Sequence, residues 1–267
     1  MQDRLSTRVL LAGLIAALVV AACGTSPLGR RQLKLVSDEQ VTQMGVATYR
    51  ELQKKEPATR DSRQSGYVQC VANLITREVP GMNWNVPIPS SWEVTTFQSD
   101  DVNAFALPGG KIGVYTGLLK IAENQDQLAA VVGHEVAHVL AGHSNERVSS
   151  SMAGELGTMA ASAVTGISPE VLGLATQTLL LLPYSRAHET EADLLGLDLM
   201  AKAGFDPRQS INLWQNMGRA SGGQKPPEML STHPSDQTRI GNLSGRLSVA
   251  LPLYEQAKAQ GKRPRCG

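Results

Sequence analysis

Apolar positions recur along this chain at two different periods, and the change from one to the other marks out its elements. From Ser37 to about Lys55, and again from about Ser65 to Glu78, the spacing is helical; Val68, Val71, Leu74 and Ile75 share one face of the second stretch. Ser37 with Gln40 forms a capping box for the first helix, and Pro80-Gly81 stops the second. Between Trp84 and Thr116 alternation takes over, in Trp92 to Phe97, Ala104 to Leu107 and Lys111 to Tyr115. Pro108-Gly109-Gly110 is a hairpin turn, so a small antiparallel sheet is expected here. The next helix is the most apolar: Asn124 and Gln127 cap it, and Leu128, Val131, Val132, Val136, Val139 and Leu140 make it a buried element running to about Arg147.

Met152 to Leu182 is rich in Ala, Gly, Leu and Thr. Gly154, Glu155, Gly166 and Glu170 interrupt it, so it reads as two packed helices restarting at Ser168-Pro169-Glu170, with a membrane-touching surface as the other reading. Asp206-Pro207 opens a helix to about Gly218, Gly222 to Pro227 is a loop, and Ser231 to Asp236 leads into a final helix. The pattern predicts an α+β fold, predominantly helical, with the sheet ahead of the apolar helix.

The apolar helix carries the chemistry. His134-Glu135-Val136-Ala137-His138 is an H-E-x-x-H motif; its histidines are one turn apart on one face, where two imidazoles can share one Zn²⁺. Glu135 stands where a carboxylate can take a proton from water. Burying two imidazoles and a carboxylate with no cation among them would be costly, which argues against coincidence. A metzincin pattern would need Gly at Ala141 and His at Ser144, and His143 is one residue out of register. A thermolysin-like site needs a later glutamate with an acidic residue four positions on. Glu189 and Asp193 supply that pair: Glu189 as the third ligand, Asp193 as acceptor for the spare N–H of a ligand histidine. Glu191, about 200° round the helix from Glu189, has Leu195 in the corresponding place and is the alternative ligand. Arg186, one turn before Glu189, balances the carboxylates, donates to substrate or makes a plain salt bridge. His143 and His188 read as surface or structural.

Composition narrows the setting. With 25 basic and 24 acidic side chains in 267 residues, and no basic–aromatic interleaving, nothing points to nucleic acid. Arg4 and Arg8 precede an apolar run from Val9 to Ala22, too short for a comfortable span and fitting a secretion signal. Val20-Ala21-Ala22-Cys23 resembles the bacterial lipoprotein processing box; an ordinary signal peptide is the alternative. That resemblance implies removal of residues 1–22, lipidation of Cys23, a tether over residues 23–34 and, with Gly24 next, the outer rather than the inner membrane. Cys70 and Cys266 remain, as a disulfide or as two thiols.

Together, His134-Glu135-x-x-His138, Ser185-Arg186-x-x-Glu189-x-x-Ala192-Asp193, and Asp101-x-Asn103-Ala104-Phe105-Ala106 with Pro108-Gly109-Gly110 resemble the HtpX and CAAX-prenyl-protease family of zinc metallopeptidases. The processing box makes the chain similar to its soluble, BepA/LoiP-like envelope branch. The resemblance covers about Ser37 to Leu247. It implies a zincin-like, gluzincin-type domain, here placed at residues 35–260 with a tail at 261–267, holding one Zn²⁺. It also implies a His-Pro near the metal. His233 then stabilises an oxyanion, holds the fourth zinc position in a latent enzyme, or merely caps the next helix. Asn103, Ala104 and Phe105 offer a strand edge that an extended substrate can join, or form an ordinary hairpin.

The function expected from these readings is a zinc endopeptidase on the periplasmic face of the bacterial envelope, lipid-anchored and acting on unfolded or misassembled proteins. The rival is a membrane-tethered chaperone or assembly factor whose zinc site is structural or latent.

Overall fold

A computed structural model describes residues 23–82, 84, 86–155, 169–220, 228–233 and 237–267. The apolar run before Cys23, the restart at Ser168, the Gly222 to Pro227 loop and residues 234–236 lie outside them. Strands β1 (Cys23–Thr25) and β2 (Arg31–Leu33) precede helices α1 (Asp38–Lys55) and α2 (Ser62–Arg77). Strands β3 (Glu93–Phe97), β4 (Ala104–Leu107) and β5 (Lys111–Tyr115) follow. Then come α3 (Gln125–Leu140), α4 (His143–Glu155), α5 (Pro169–Thr176) running into a π-helical turn at Gln177–Leu181, α6 (Arg186–Lys202), α7 (Gln209–Ala220), the short α8 (Glu228–Thr232) and α9 (Gln237–Ala259). The α+β, mainly helical architecture is the one expected. Among the described residues no helix is long and apolar enough to cross a membrane.

Helix α3 is the centre. Leu128, Val131, Val132, Val136 and Leu140 on it are completely buried, each contributing roughly 1.5–3 kcal/mol of transfer free energy. Asn124 caps it by accepting from the Asp126 and Gln127 amides. Helix α6 crosses α3 at Gly133 and Gly196. A Cβ on Gly196 would lie 2.7 Å from the His134 amide nitrogen, and one on Gly133 would lie 2.8 Å from the Gly196 carbonyl. Only this pair of glycines lets the backbones approach so closely, and the approach brings the start of α6 up to the motif.

Three expectations are corrected. First, the sheet is mixed. Strands β4 and β5 are antiparallel, as the turn requires, but β3 pairs with the other side of β5 in parallel. The connection from β3 to β4 passes over the end of β5, where a Cβ on Gly117 would come within 2.3 Å of the Asp100 carbonyl. Strand order is therefore β3-β5-β4, and among the described residues no strand pairs with the outer edge of β4. Secondly, α3 stops at Leu140 instead of continuing to about Arg147, because Gly142 adopts φ 71° and turns the chain into α4. Thirdly, residues 23–33, expected as a tether, form a short hairpin docked on the helices: Arg30 pairs with Glu146 and Glu191, and the buried Gln32 amide donates to the Ala141 carbonyl at 2.6 Å.

The chain's other end is also tied down. Cys70 on α2 is bridged to Cys266, closing a loop of 196 residues. In the chain-entropy account a loop that long stabilises the fold by about 5 kcal/mol. Lys262 adds an ion pair to Glu78 at 2.6 Å.

Candidate active site

The carboxylates and histidines singled out in the sequence converge where α3, α6 and the start of α9 meet. His134, His138, Glu189 and His233 each offer a donor atom, and these four atoms all lie within 4.8 Å of one another. His134 Nε2 is 3.0 Å from His138 Nε2, and Glu189 Oε1 is 3.3 Å from His138 Nε2 and 3.0 Å from His233 Nδ1. Glu191 points away, to His143 and Arg30. Asp193 Oδ1 meets His134 Nδ1 at 2.8 Å, leaving Nε2 free to face the cluster.

Every one of these groups is buried; His138 has no exposed surface at all. Burial penalises charge, so the residual balance is informative. For His134 burial acts against protonation, but Glu189 and Asp193 outweigh it and raise its pKa to about 9. Glu189, also opposed by burial, is held well below the usual carboxylate range by His233 and His134.

Glu135 differs. Burial raises its pKa, the Ala106 N–H donates to its carboxylate, and Oε1 has no hydrogen-bond partner. His233 Nε2 is 3.4 Å from that oxygen, without hydrogen-bond geometry. A buried oxygen left without a partner costs about 1–3 kcal/mol; here it faces the donor cluster, where a reacting water would satisfy it. The donor set and the orphaned oxygen both fit a catalytic zinc.

A cleft of about 240 Å³ leads to Glu135 and His233. One wall is the outer edge of β4, with Asn103, Ala104, Phe105 and Ala106; another is Leu179 to Leu182 with Tyr184. Asn103 accepts from the Tyr115 amide on the β5 side, so by alternation the Ala104 and Ala106 amides face outward, where they donate to the Asn103 side chain and to Glu135.

Sequence reasoning missed Arg239. Its Nη2 reaches Glu189 Oε2 at 2.7 Å, its Nε reaches Asp193 Oδ2 at 2.7 Å, and it lies 3.6 Å over the Trp214 ring. Arg186, for which that role was one of three readings, lies on the exposed first turn of α6. A buried carboxylate pair calls for a balancing cation, but spacing along the sequence does not say which distant helix supplies it. His143 and His188 are buried, which rules out the surface reading; His188 pairs with Glu146 at 3.1 Å.

An H-E-x-x-H helix crossed by a second helix bearing glutamate and aspartate defines a zinc metallopeptidase. The family model for peptidase family M48 matches residues 63–247, and the chain belongs to that family. It is 41% identical over 160 residues to the mitochondrial metalloendopeptidase OMA1 of Schizosaccharomyces pombe, covering 60% of this chain and 48% of that protein. The human OMA1 metalloendopeptidase is 33% identical over 250 residues, 86% of this chain and 47% of the relative. The beta-barrel assembly-enhancing protease of Escherichia coli K12 is 26% identical over 268 residues, 93% and 54% respectively. The chain spans about half the length of the curated relatives it matches.

Proposed function

We propose that this chain is an endopeptidase of the bacterial cell envelope, of the HtpX and CAAX-prenyl-protease-like branch, that hydrolyses unfolded or misassembled proteins. The single observation carrying the peptidase reading is the cleft that joins the outer β4 edge to the orphaned Glu135 oxygen. An extended peptide pairing with that edge through main-chain hydrogen bonds would bring a scissile bond to Glu135, whatever its side chains. The envelope setting rests on the processing box at Cys23, whose lipidation would anchor the protein, and on the similarity to the assembly-enhancing protease.

His134, His138 and Glu189 would hold zinc, which when bound supplies Lewis-acid polarisation of water and of the scissile carbonyl. Glu135 takes the proton of the attacking water and returns it to the leaving amine; burial raises its basicity for that role. Asp193 fixes the His134 ring, and Arg239 holds Glu189 and Asp193 in place. The outer edge of β4 orients the substrate backbone.

A second reading has its own observation. His233 stands within the donor group, so it can complete a closed, latent site as well as stabilise an oxyanion. The test is cleavage of an unfolded protein by the zinc-loaded chain beside Glu135→Gln, with an expected loss of about 10²–10⁴-fold. If both are inactive, activity appearing in His233→Ala means latency. Silence from all three, with the fold and zinc retained, would favour the chaperone.

A further inference from the structure

On Nδ1, the proposed ligand His138 lacks the direct carboxylate partner that His134 has there. Its Nδ1 lies 2.9 Å from His143 Nδ1, brought there by the turn at Gly142. Two ring nitrogens at that distance share one hydrogen, and the bonding around them decides which ring carries it. For His138 to offer the Nε2 lone pair to a metal, its hydrogen must sit on Nδ1. His143 Nδ1 is then the acceptor, so the His143 hydrogen sits on Nε2. That nitrogen faces Glu191 Oε2 at 3.1 Å, and a carboxylate only accepts. Every hydrogen in the series is thereby placed, and each placement agrees with the next.

The far end of the series is closed by the N-terminal hairpin. Leu28 donates its amide to Glu191 Oε1 at 3.1 Å, and Arg30 Nε donates to Oε2 at 3.2 Å. The same guanidinium grips Glu146 on α4 through both terminal nitrogens, at 2.8 and 2.7 Å. Since α4 also carries His143, Arg30 fixes both partners of the His143–Glu191 bond.

We infer that His143 and Glu191 are positioning residues that set the tautomer and ring angle of His138 for metal binding, and that Arg30 on the docked hairpin clamps this relay. The inference rests on the metal-site reading above. It makes residues 26–33 part of the metal site's support rather than a passive lead-in to the domain. Orienting partners of ligand histidines typically govern ~10–100-fold in metal affinity.

The test is zinc affinity of the full chain, measured by chelator competition, with the absorption spectrum of the cobalt-loaded protein as a second readout. His143→Leu fills the space but can neither accept nor donate; it should lose ~10–100-fold in affinity and change the cobalt spectrum. His143→Gln can accept from His138 and donate to Glu191 at once, so it should restore affinity to within a few-fold. Leucine matching wild type, or glutamine as poor as leucine in a folded protein, would overturn the relay. If His143→Leu does not fold, Arg30→Gln and Glu191→Gln take its place, with an expected loss of ~3–10-fold, below the full effect of removing the orienting group; unchanged affinity in both overturns the inference. Wild type that binds no zinc sinks the metal-site reading itself, whereas binding that ignores every substitution sinks the relay alone.

Discussion

His134 and His138 sit one helical turn apart on α3, yet their outer ring nitrogens meet different surroundings. His134 gives its Nδ1 directly to Asp193, and Arg239 holds that carboxylate from a site almost sealed from solvent. His138 reaches its carboxylate, Glu191, only through His143, and the cation there is Arg30, whose side chain keeps 27% of its surface exposed. Each side follows the order imidazole, carboxylate, guanidinium. One is built from three long helices deep in the fold; the other depends on a short hairpin. The same local chemistry therefore rests on very different desolvation, and the cost of breaking each side should differ accordingly.

The largest effect is expected on the His134 side. Arg239→Met leaves Glu189 and Asp193 buried beside each other without their guanidinium, at a cost of about 3–5 kcal/mol. Urea unfolding with chelator present should show this loss in full, and added zinc should recover part of it by supplying positive charge to the same carboxylates. A loss below about 1 kcal/mol, the range of an exposed ion pair, would erase the difference between the two sides. Next comes Asp193→Asn, which keeps the shape but turns an acceptor towards Arg239 into a donor. Zinc affinity should fall about 10–100-fold; equal affinity would mean that His134 needs only an acceptor there and not the charge of a carboxylate.

The contrast also explains what could be read in the sequence. The His134 side was nearly complete there, because H-E-x-x-H and Glu189-x-x-x-Asp193 are each a single helical face, and helical faces are legible from spacing. Arg239 escaped because it lies 46 residues beyond Asp193, and spacing says nothing about which distant helix supplies a cation. The His138 side escaped almost wholly. Gly142 breaks the helix that apolar periodicity carried on to Arg147, and only that break turns His143 back onto His138. A stretch with Pro27, Gly29 and two arginines reads as a linker until Glu146 and Glu191 are seen to receive it. The sheet failed for a similar reason: the turn fixes β4 against β5, but the parallel partner depends on a loop crossing at Gly117.

Smaller effects belong to the hairpin. Arg30→Gln removes contacts to the buried Glu191 and the partly exposed Glu146, and since Arg30 itself keeps 27% of its side-chain surface exposed, solvent screening limits the loss to about 1–2 kcal/mol. Proteolysis between Ser26 and Lys34 should speed up in this variant while the helical core keeps its protection. A loss as large as that of Arg239→Met would show that the hairpin is as integral to the fold as α9.

The smallest effect concerns acid. Burial acts to raise the Glu146 pKa, but hydrogen bonds from His188 and Arg30 outweigh it and hold it at about 2, below the ordinary 4.5. A depressed carboxylate stabilises the fold fully above its unfolded pKa, and that contribution disappears as pH falls through the folded value. Glu146 should therefore support the docked hairpin unchanged above about pH 5 and lose that role between about 4.5 and 2. Its side chain keeps contact with solvent, and screening there limits the whole contribution to about 1 kcal/mol or less. The comparison to make is wild type against Glu146→Gln, both with chelator, by urea unfolding at pH 6, 4 and 3 (roughly the span of the titration). The two should differ most at pH 6 and converge towards pH 3. A gap that stays constant would mean that Glu146 acts through shape and hydrogen bonding, not through charge. Arg30 would then answer chiefly to Glu191, and the hairpin's hold on the His138 side would rest on that one carboxylate.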